Sequence, residues 1–140
     1  MTGSTAPDFI FIDDDTVTLK MYHRVVQKTV PQANIHTFAD PLQGLAHINS
    51  VYGAASGENA VLFLDINMPG MDGWEVLDMI RNSSDEVGRR VRIFMLSSSI
   101  DTRDKLRSEA DAMVHAFVSK PFATHDLQGV LSKYYGMTFS

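Results

Sequence analysis

The sequence predicts a three-layer α/β sandwich, in which helices cover both faces of a parallel five-stranded sheet. Short apolar segments alternate five times with helical patterns along the chain, as they do in consecutive strand–helix–strand units. One apolar segment, AVLFLD, has no polar residue before its last position, which is typical of a strand buried on both faces. With 140 residues, 44% of them hydrophobic, the chain can form one domain with a substantial core.

The five predicted strands are short apolar segments bounded by polar or loop-forming residues. They comprise residues 9–12, 34–38, 60–65, 91–97 and 114–119. Each crossover between parallel strands is expected to be right-handed.

The first two helices each have a boundary signal in the sequence. The first is indicated by apolar residues at helical spacing, namely Val17, Met21, Tyr22, Val25 and Val26. It is expected to end before Pro31, because proline disrupts a helix interior. The second covers residues 40–52, with Asp40 as the N-cap and Pro41 at the first helical position.

The remaining helices follow the third, fourth and fifth strands. The third is predicted within residues 70–82, where a glycine-containing loop changes into a helical pattern. The fourth, residues 99–111, is the more polar and is expected to be the least buried. The fifth, residues 124–136, is predicted to begin with Thr124 as the N-cap and to end at Gly136.

The composition excludes several classes of protein. A net charge of −5 with dispersed Lys and Arg residues argues against nucleic-acid binding. The absence of cysteine rules out disulfides, thiolate zinc sites and a cysteine nucleophile. No apolar run approaches the ~20 residues of a membrane helix, and the first residues, MTGSTAPD, lack the features of a signal peptide.

We therefore expect a cytoplasmic protein that binds neither nucleic acid nor membrane. Its predicted parts are a disordered tail over residues 1–8, one domain over residues 9–136 and a short tail over residues 137–140. No room is left for a second domain, so the chain is expected to act as a stand-alone domain.

Polar residues follow the predicted strands at their carboxyl ends. These residues are Asp13, Asp14 and Asp15 after the first strand, Asp65 in the third, Ser97, Ser98 and Ser99 at the fourth, and Lys120 after the fifth. Ligands of open parallel sheets bind outside this edge. Crowded carboxylates repel one another unless a cation lies among them, and oxygen ligands suit a hard cation such as Mg²⁺.

A lysine and hydroxyl groups beside such a cation predict that an anion binds there. The natural anion is a phosphoryl group, whose transfer requires its oxygens to be neutralised. Neither GxxxxGK[ST] nor GxGxxG occurs in the chain. The simplest phosphoryl acceptor is therefore one of the aspartates.

Four segments resemble the signature segments of the response regulator receiver domain, in the same order and spacing. They are FIDDD, LFLDINMPGMDGWEVL, FMLSSS and FVSKPF, and the resemblance extends from about Phe9 to about Tyr135. It implies a doubly wound, flavodoxin-like sandwich with five helices and strand order 2-1-3-4-5. It also implies a role in two-component signal transduction, with Mg²⁺-dependent transfer of a phosphoryl group from a phosphohistidine to an aspartate.

The resemblance implies which residues form the acceptor and metal site. Asp65 matches the phosphoacceptor. Asp13 and Asp14 match the acidic pair that holds Mg²⁺, Asp14 as a direct ligand and Asp13 partly through water. The backbone carbonyl of Asn67 matches a further metal ligand.

The resemblance also implies a switch. Ser97 matches the hydroxyl residue that follows the phosphoryl group, Lys120 the lysine that pairs with it, and Phe117 the switch aromatic. The peptide bond between Lys120 and Pro121 is expected to be cis, as is usual in the family. The family often has a glycine at the end of the fourth helix, whereas Met113 lies near that place here.

The implied partners are a sensor histidine kinase or a histidine phosphotransfer domain and an unknown downstream protein. The downstream protein is expected to dock on the face formed by the fourth helix, the fifth strand and the fifth helix. The chain is expected to assist its own phosphorylation and dephosphorylation without turning over an independent substrate.

Two alternatives remain open from the residues themselves. DDDTV also fits the DxDx[TV] motif of haloacid-dehalogenase-like phosphohydrolases, with Asp13 as nucleophile and Asp15 as acid/base. That family needs a further acidic pair after the lysine, where only Asp126 follows, and it would leave Asp65 without a role. A pseudo-receiver that serves only as an interaction module would be expected to lack part of the site.

Two of the residues also have a simpler structural interpretation. Asp15 could be a simple N-cap, and Phe117 a simple core residue.

Overall fold

The computed structural model describes residues 6–54, 57–98 and 102–139 of the chain. Its strands are β1 (Asp8–Ile12), β2 (Ile35–Phe38), β3 (Ala60–Asp65), β4 (Val91–Ser97) and β5 (Val114–Ser119). They form one parallel sheet in the order β2-β1-β3-β4-β5. This architecture confirms the predicted fold and strand order.

Six helices occur within the described residues. They are α1 (Thr16–Thr29), α2 (Pro41–Tyr52), α3 (Gly73–Arg81), α4 (Asp85–Arg90), α5 (Thr102–Ala110) and α6 (Thr124–Tyr135). In this part of the chain, none of the helices is long and apolar enough to cross a lipid bilayer.

The prediction of five helices was wrong, because it missed α4. This helix has only six residues and no apolar periodicity, so its signal in the sequence is weak. Tertiary contacts hold it instead. Val87 is buried in the core, and the Arg90 guanidinium donates hydrogen bonds to the backbone carbonyls of Ala54 and Glu58.

Most predicted boundaries agree with the structure to within one residue. β3, β4 and β5 match the predicted residues, whereas β1 and β2 begin at Asp8 and Ile35 instead of residues 9 and 34. Asp40 caps α2, and Gly136 ends α6 with a left-handed backbone, as predicted. Residues 1–5 and 140 of the predicted tails, Ser99 and the predicted helix start at residues 99–101 lie outside the described residues.

The predicted N-cap role of Thr124 was wrong. Thr124 is the first helical residue of α6, and the residue before it is Ala123. The carboxylate of Asp126 accepts a hydrogen bond from the Ala123 amide at 2.8 Å. A side chain within the first turn therefore reaches back to satisfy this amide, and no hydroxyl cap is needed.

Two hydrophobic cores cover the two faces of the sheet. On one face, Leu62 and Leu64 of β3 pack with residues of α2, α3 and α4, and we call this the α2–α3 core. On the other face, Val61 and Phe63 pack with residues of α1 and α6, and we call this the α1–α6 core. Because both faces of β3 are covered, its apolar run is continuous.

The helix α5 contrasts with the others because Ser108 is its one buried residue. The expectation that the fourth predicted helix is the least buried is therefore confirmed for the described residues.

The start of α3 allows a test of how tightly the loop after β3 is packed. A Cβ atom on Gly73 would lie 2.5 Å from the Asp65 carbonyl oxygen and 2.8 Å from the Ile66 Cα. Since backbone atoms would have to move, Gly73→Ala should lower the free energy of unfolding by about 1–3 kcal/mol. Urea denaturation measures this change.

A matched control is available in α6. A Cβ on Gly129 would have no neighbour within 4 Å. Gly129→Ala should therefore raise the free energy of unfolding by about 0.5–1 kcal/mol through helix propensity. Equal effects of the two substitutions would contradict the close approach at Gly73.

Candidate functional site

Three carboxylates meet at the carboxyl edge of the sheet. Asp13 follows β1 and Asp65 ends β3, and these neighbouring strands pair in parallel up to Ile12 and Leu64. One oxygen atom each from Asp13, Asp14 and Asp65 can be chosen so that all lie within 4.8 Å of one another. Asp13 and Asp65 are 1% and 2% exposed, whereas Asp14 is open to solvent. Such a cluster could hold a metal ion.

Lys120 supplies a positive charge to this cluster. Its Nζ atom lies 2.8 Å from Oδ2 of Asp13 and 3.2 Å from Oδ1 of Asp65. Lys120 follows β5, and its backbone amide donates to the carbonyl of Ser97 at 2.8 Å. The bond between Lys120 and Pro121 is cis, as the resemblance implied.

The charges in the cluster do not balance, because one ammonium faces three carboxylates. Burial and the charge of Asp13 raise the pKa of Asp65 to about 6, although Lys120 acts in the opposite direction. Burial alone would lower the pKa of Lys120, but the hydrogen bond to Asp13 and the charges of both aspartates raise it overall. The cluster therefore retains an excess of negative charge, which a bound cation would offset.

Ser97 and Asn67 lie beside the acceptor strand. The amide side chain of Asn67 donates to the Ser97 hydroxyl at 3.3 Å, and its backbone amide donates to Oδ1 of Asp65 at 3.2 Å. Ser97 is fully buried. The loop that carries Asn67 is closed by a hydrogen bond from the Gly73 amide to the Ile66 carbonyl at 2.9 Å.

Two of the predicted residues lie outside the cluster. Asp15 is exposed and caps α1, where its carboxylate accepts from the Val17 amide at 3.0 Å. Hydrogen bonds from the Thr18 hydroxyl and this amide lower the pKa of Asp15. Phe117 is half-buried in β5, opposite Met95, and packs against the α2–α3 core.

Sequence reasoning missed Tyr22 as a site residue. Its ring stacks on Phe11 in the α1–α6 core, and its hydroxyl lies 3.5 Å from Oδ2 of Asp13. Burial and the charge of Asp13 raise the pKa of the Tyr22 phenol. The sequence pattern identified Tyr22 only as part of the apolar face of α1. The sequence did contain a signal for this contact: a tyrosine hydroxyl on the apolar face, two helical turns after the acidic cluster.

Comparisons with known proteins agree with this geometry. The model of the response regulator receiver domain matches residues 9–132. A solved response regulator receiver protein from Dyadobacter fermentans superposes with a TM-score of 0.83 at 26% identity, covering 93% of this chain and 98% of that one.

Curated relatives show the same similarity over part of their length. Stress response regulator protein 1 of Debaryomyces hansenii is 31% identical over 121 residues, which are 86% of this chain and 46% of the relative. Hybrid signal transduction histidine kinase L of Dictyostelium discoideum is 27% identical over 127 residues, which are 89% of this chain and 7% of the relative. The chain thus spans less than half the length of these two relatives.

The raised pKa of Asp65 predicts a pH-dependent stability difference in metal-free buffer. Above pH 6 Asp65 is ionised in both the folded and the unfolded protein, and its buried charge destabilises the fold. Asp65→Asn should therefore be more stable than the unsubstituted chain at pH 7.5, on the order of 2 kcal/mol. As the pH falls through 6, the native carboxyl group takes up a proton and the difference should shrink, vanishing below about pH 4.

Urea denaturation of both proteins with EDTA, at several pH values, checks this prediction. A stability difference that stays constant between pH 4 and 7.5 would show that the pKa of Asp65 is not raised in the folded protein.

Proposed function

The chain belongs to the response regulator receiver domain family, and we therefore propose that Asp65 accepts a phosphoryl group from a phosphohistidine. The donor would be a sensor histidine kinase or a histidine phosphotransfer domain. The main support for this proposal is the position of Lys120, whose ammonium bridges the buried carboxylates of Asp13 and Asp65 at 2.8 and 3.2 Å. The cytoplasmic location predicted from the composition remains part of this proposal.

Asp65 has the properties that a phosphoryl acceptor needs. With a pKa of about 6 it is ionised at neutral pH, and its side chain is fixed by Lys120 and by the Asn67 amide. A carboxylate oxygen would attack phosphorus in line with the bond to the imidazole nitrogen. That bond breaks as the new oxygen–phosphorus bond forms, and its electron pair returns to the imidazole.

The remaining residues would stabilise the charge of the phosphoryl oxygens. We assign Asp13, Asp14, Asp65 and the backbone carbonyl of Asn67 to a Mg²⁺ site, because oxygen donors and excess negative charge suit this hard cation. Bound Mg²⁺ would neutralise oxygens of the transferred group. Lys120 would pair with another of these oxygens.

Ser97 would convert the modification into a structural change. Its hydroxyl accepts from Asn67 here, and we propose that it turns to donate to the phosphoryl group. Phe117 lies on the neighbouring strand β5, and its half-buried ring would move into the space that Ser97 leaves. The altered face of α5, β5 and α6 would then bind a downstream protein.

We propose no turnover of an independent substrate. The phosphohydrolase alternative is disfavoured by the positions of its residues. The carboxylate of Asp15 is used to cap α1, and Asp126 hydrogen-bonds to the Ala123 amide at the start of α6. Neither carboxylate is part of the cluster around Asp13.

Removing the acceptor should abolish phosphorylation. Asp65→Asn keeps the shape of the side chain but removes the nucleophile, so labelling by acetyl phosphate with Mg²⁺ should fall to background. The intact mass of the protein measures the incorporated phosphoryl group. Undiminished labelling of this variant would overturn the assignment.

A matched control separates the receiver from the phosphohydrolase. Asp15→Asn preserves a good helix cap and leaves the Asp65 cluster unchanged. We expect it to be labelled like the unsubstituted chain. Multiple-turnover phosphate release that disappears in this variant would instead support Asp13 and Asp15 as a hydrolytic pair.

The metal assignment predicts a second loss of function. Asp14 is exposed, so Asp14→Ala should not harm the core. It removes a proposed direct ligand and should weaken Mg²⁺ binding at least tenfold, as measured by isothermal titration calorimetry. Glu109→Ala removes the same charge from an exposed position on α5 and should leave the affinity nearly unchanged. Equal affinities of the Asp14 variant and the unsubstituted chain would exclude Asp14 as a ligand.

A further inference from the structure

Apolar burial contributes little to holding α5 in place. Ser108 is its one buried residue, and Leu106 is 59% exposed. The helix lies next to β5, the edge strand of the sheet. An element with so little buried apolar surface is expected to have low local stability unless other contacts restrain it.

Polar contacts from α3 supply such a restraint. The indole Nε1 of Trp74 donates to Oδ1 of Asp104 at 3.1 Å, and the Arg107 guanidinium carbon lies 4.3 Å from the centroid of the Trp74 ring. Directly after α5, Asp111 accepts two hydrogen bonds from Arg81 of α3, at 2.6 and 3.3 Å. We call these contacts, made by Trp74, Asp104, Arg107, Arg81 and Asp111, the α3–α5 clamp.

The clamp joins the two chain segments that leave the candidate site. The segment after Asp65 enters α3 at Gly73, whose amide is hydrogen-bonded to Ile66, and Trp74 is the next residue. The segment after Ser97 leads into α5. The clamp therefore joins the two helices into which these segments lead.

We propose that the α3–α5 clamp holds α5 in the position described here, and that a phosphoryl group on Asp65 alters the α5 surface by releasing the clamp. The second part rests on the proposed function, whereas the first does not. The contacts are suited to reversible release, because they are polar and both arginines, Arg81 and Arg107, are exposed. If the mimic releases the clamp, it binds better to the open form, so a substitution that weakens the clamp must also strengthen binding of the mimic.

The clamp is tested in the full chain with Asp104→Ala, which removes the acceptor of the indole, and Arg107→Ala, which removes the cation over the ring. Lys105→Ala alters an exposed residue of the same helix and serves as the control. Hydrogen exchange of the α5 amides is measured without metal or phosphoryl mimic. We expect both clamp variants to exchange at least about threefold faster in α5 than the control, with the sheet unchanged.

Coupling to the site is measured by titrating each protein with beryllofluoride in the presence of Mg²⁺. Trp74 is the one tryptophan of the sequence and is 5% exposed, so its emission should move to longer wavelength when the clamp opens. Arg107→Ala should bind the mimic about 3- to 10-fold more tightly than Lys105→Ala, and Asp104→Ala should show the same direction.

Each result decides one part of the proposal. Unchanged exchange in α5 overturns the clamp. Faster exchange with unchanged affinity for the mimic overturns its release by phosphorylation. If the unsubstituted chain fails to bind the mimic, the proposed function fails, and the exchange rates alone decide whether the clamp exists.

Discussion

The ammonium of Lys120 lies between two buried carboxylates, 2.8 Å from Asp13 and 3.2 Å from Asp65, and the geometry of the sheet edge depends on this contact. Without it, two carboxylates of at most 2% exposure would have to take up protons or move apart. Lys120 reaches them because its backbone amide is fixed to the Ser97 carbonyl at the end of β4. One ammonium does not neutralise the group. Burial and the charge of Asp13 raise the pKa of Asp65, and the residual negative charge makes the cluster suitable for a cation.

The sheet tolerates this unfavourable charge because hydrophobic packing stabilises its central strand. Every residue of β3 is buried, and hydrophobic cores on both faces hold the strand that ends at Asp65. The loop after Asp65 is fixed at its far end, where Asp72 and Glu75 form a capping box at the start of α3. Packing in the two cores therefore keeps the mutually repelling carboxylates in one fixed geometry, as preorganised sites require.

The parts of the fold and of the site that could be predicted are those marked by a local pattern in the sequence. The apolar runs of β1, β3, β4 and β5 are followed by polar residues, and parallel pairing then brings their carboxyl ends together. The residues of the cluster could therefore be identified without coordinates. The short α4 and the hydrogen bond from the Ala123 amide to the Asp126 carboxylate depend on packing or on competition between caps, and both were missed. The contact of Tyr22 with Asp13 and that of Trp74 with Asp104 were not predicted, because an apolar pattern alone does not reveal where a polar atom on a side chain points. The functional roles of the cluster residues remain predictions.

Asp65 and α5, which a phosphorylation signal would connect, are stabilised in different ways. Asp65 lies on the central strand, where any displacement would disturb both cores. By contrast, α5 lies by the edge strand with one buried residue and is tied to α3 by hydrogen bonds, an ion pair and a cation–π contact. Such contacts have free energies of about 0.5–3 kcal/mol each, comparable to the ~1–3 kcal/mol of a typical coupling between sites. Under the proposed mechanism, a charge added at Asp65 would therefore change the position of α5 while the sheet that carries Asp65 keeps its structure.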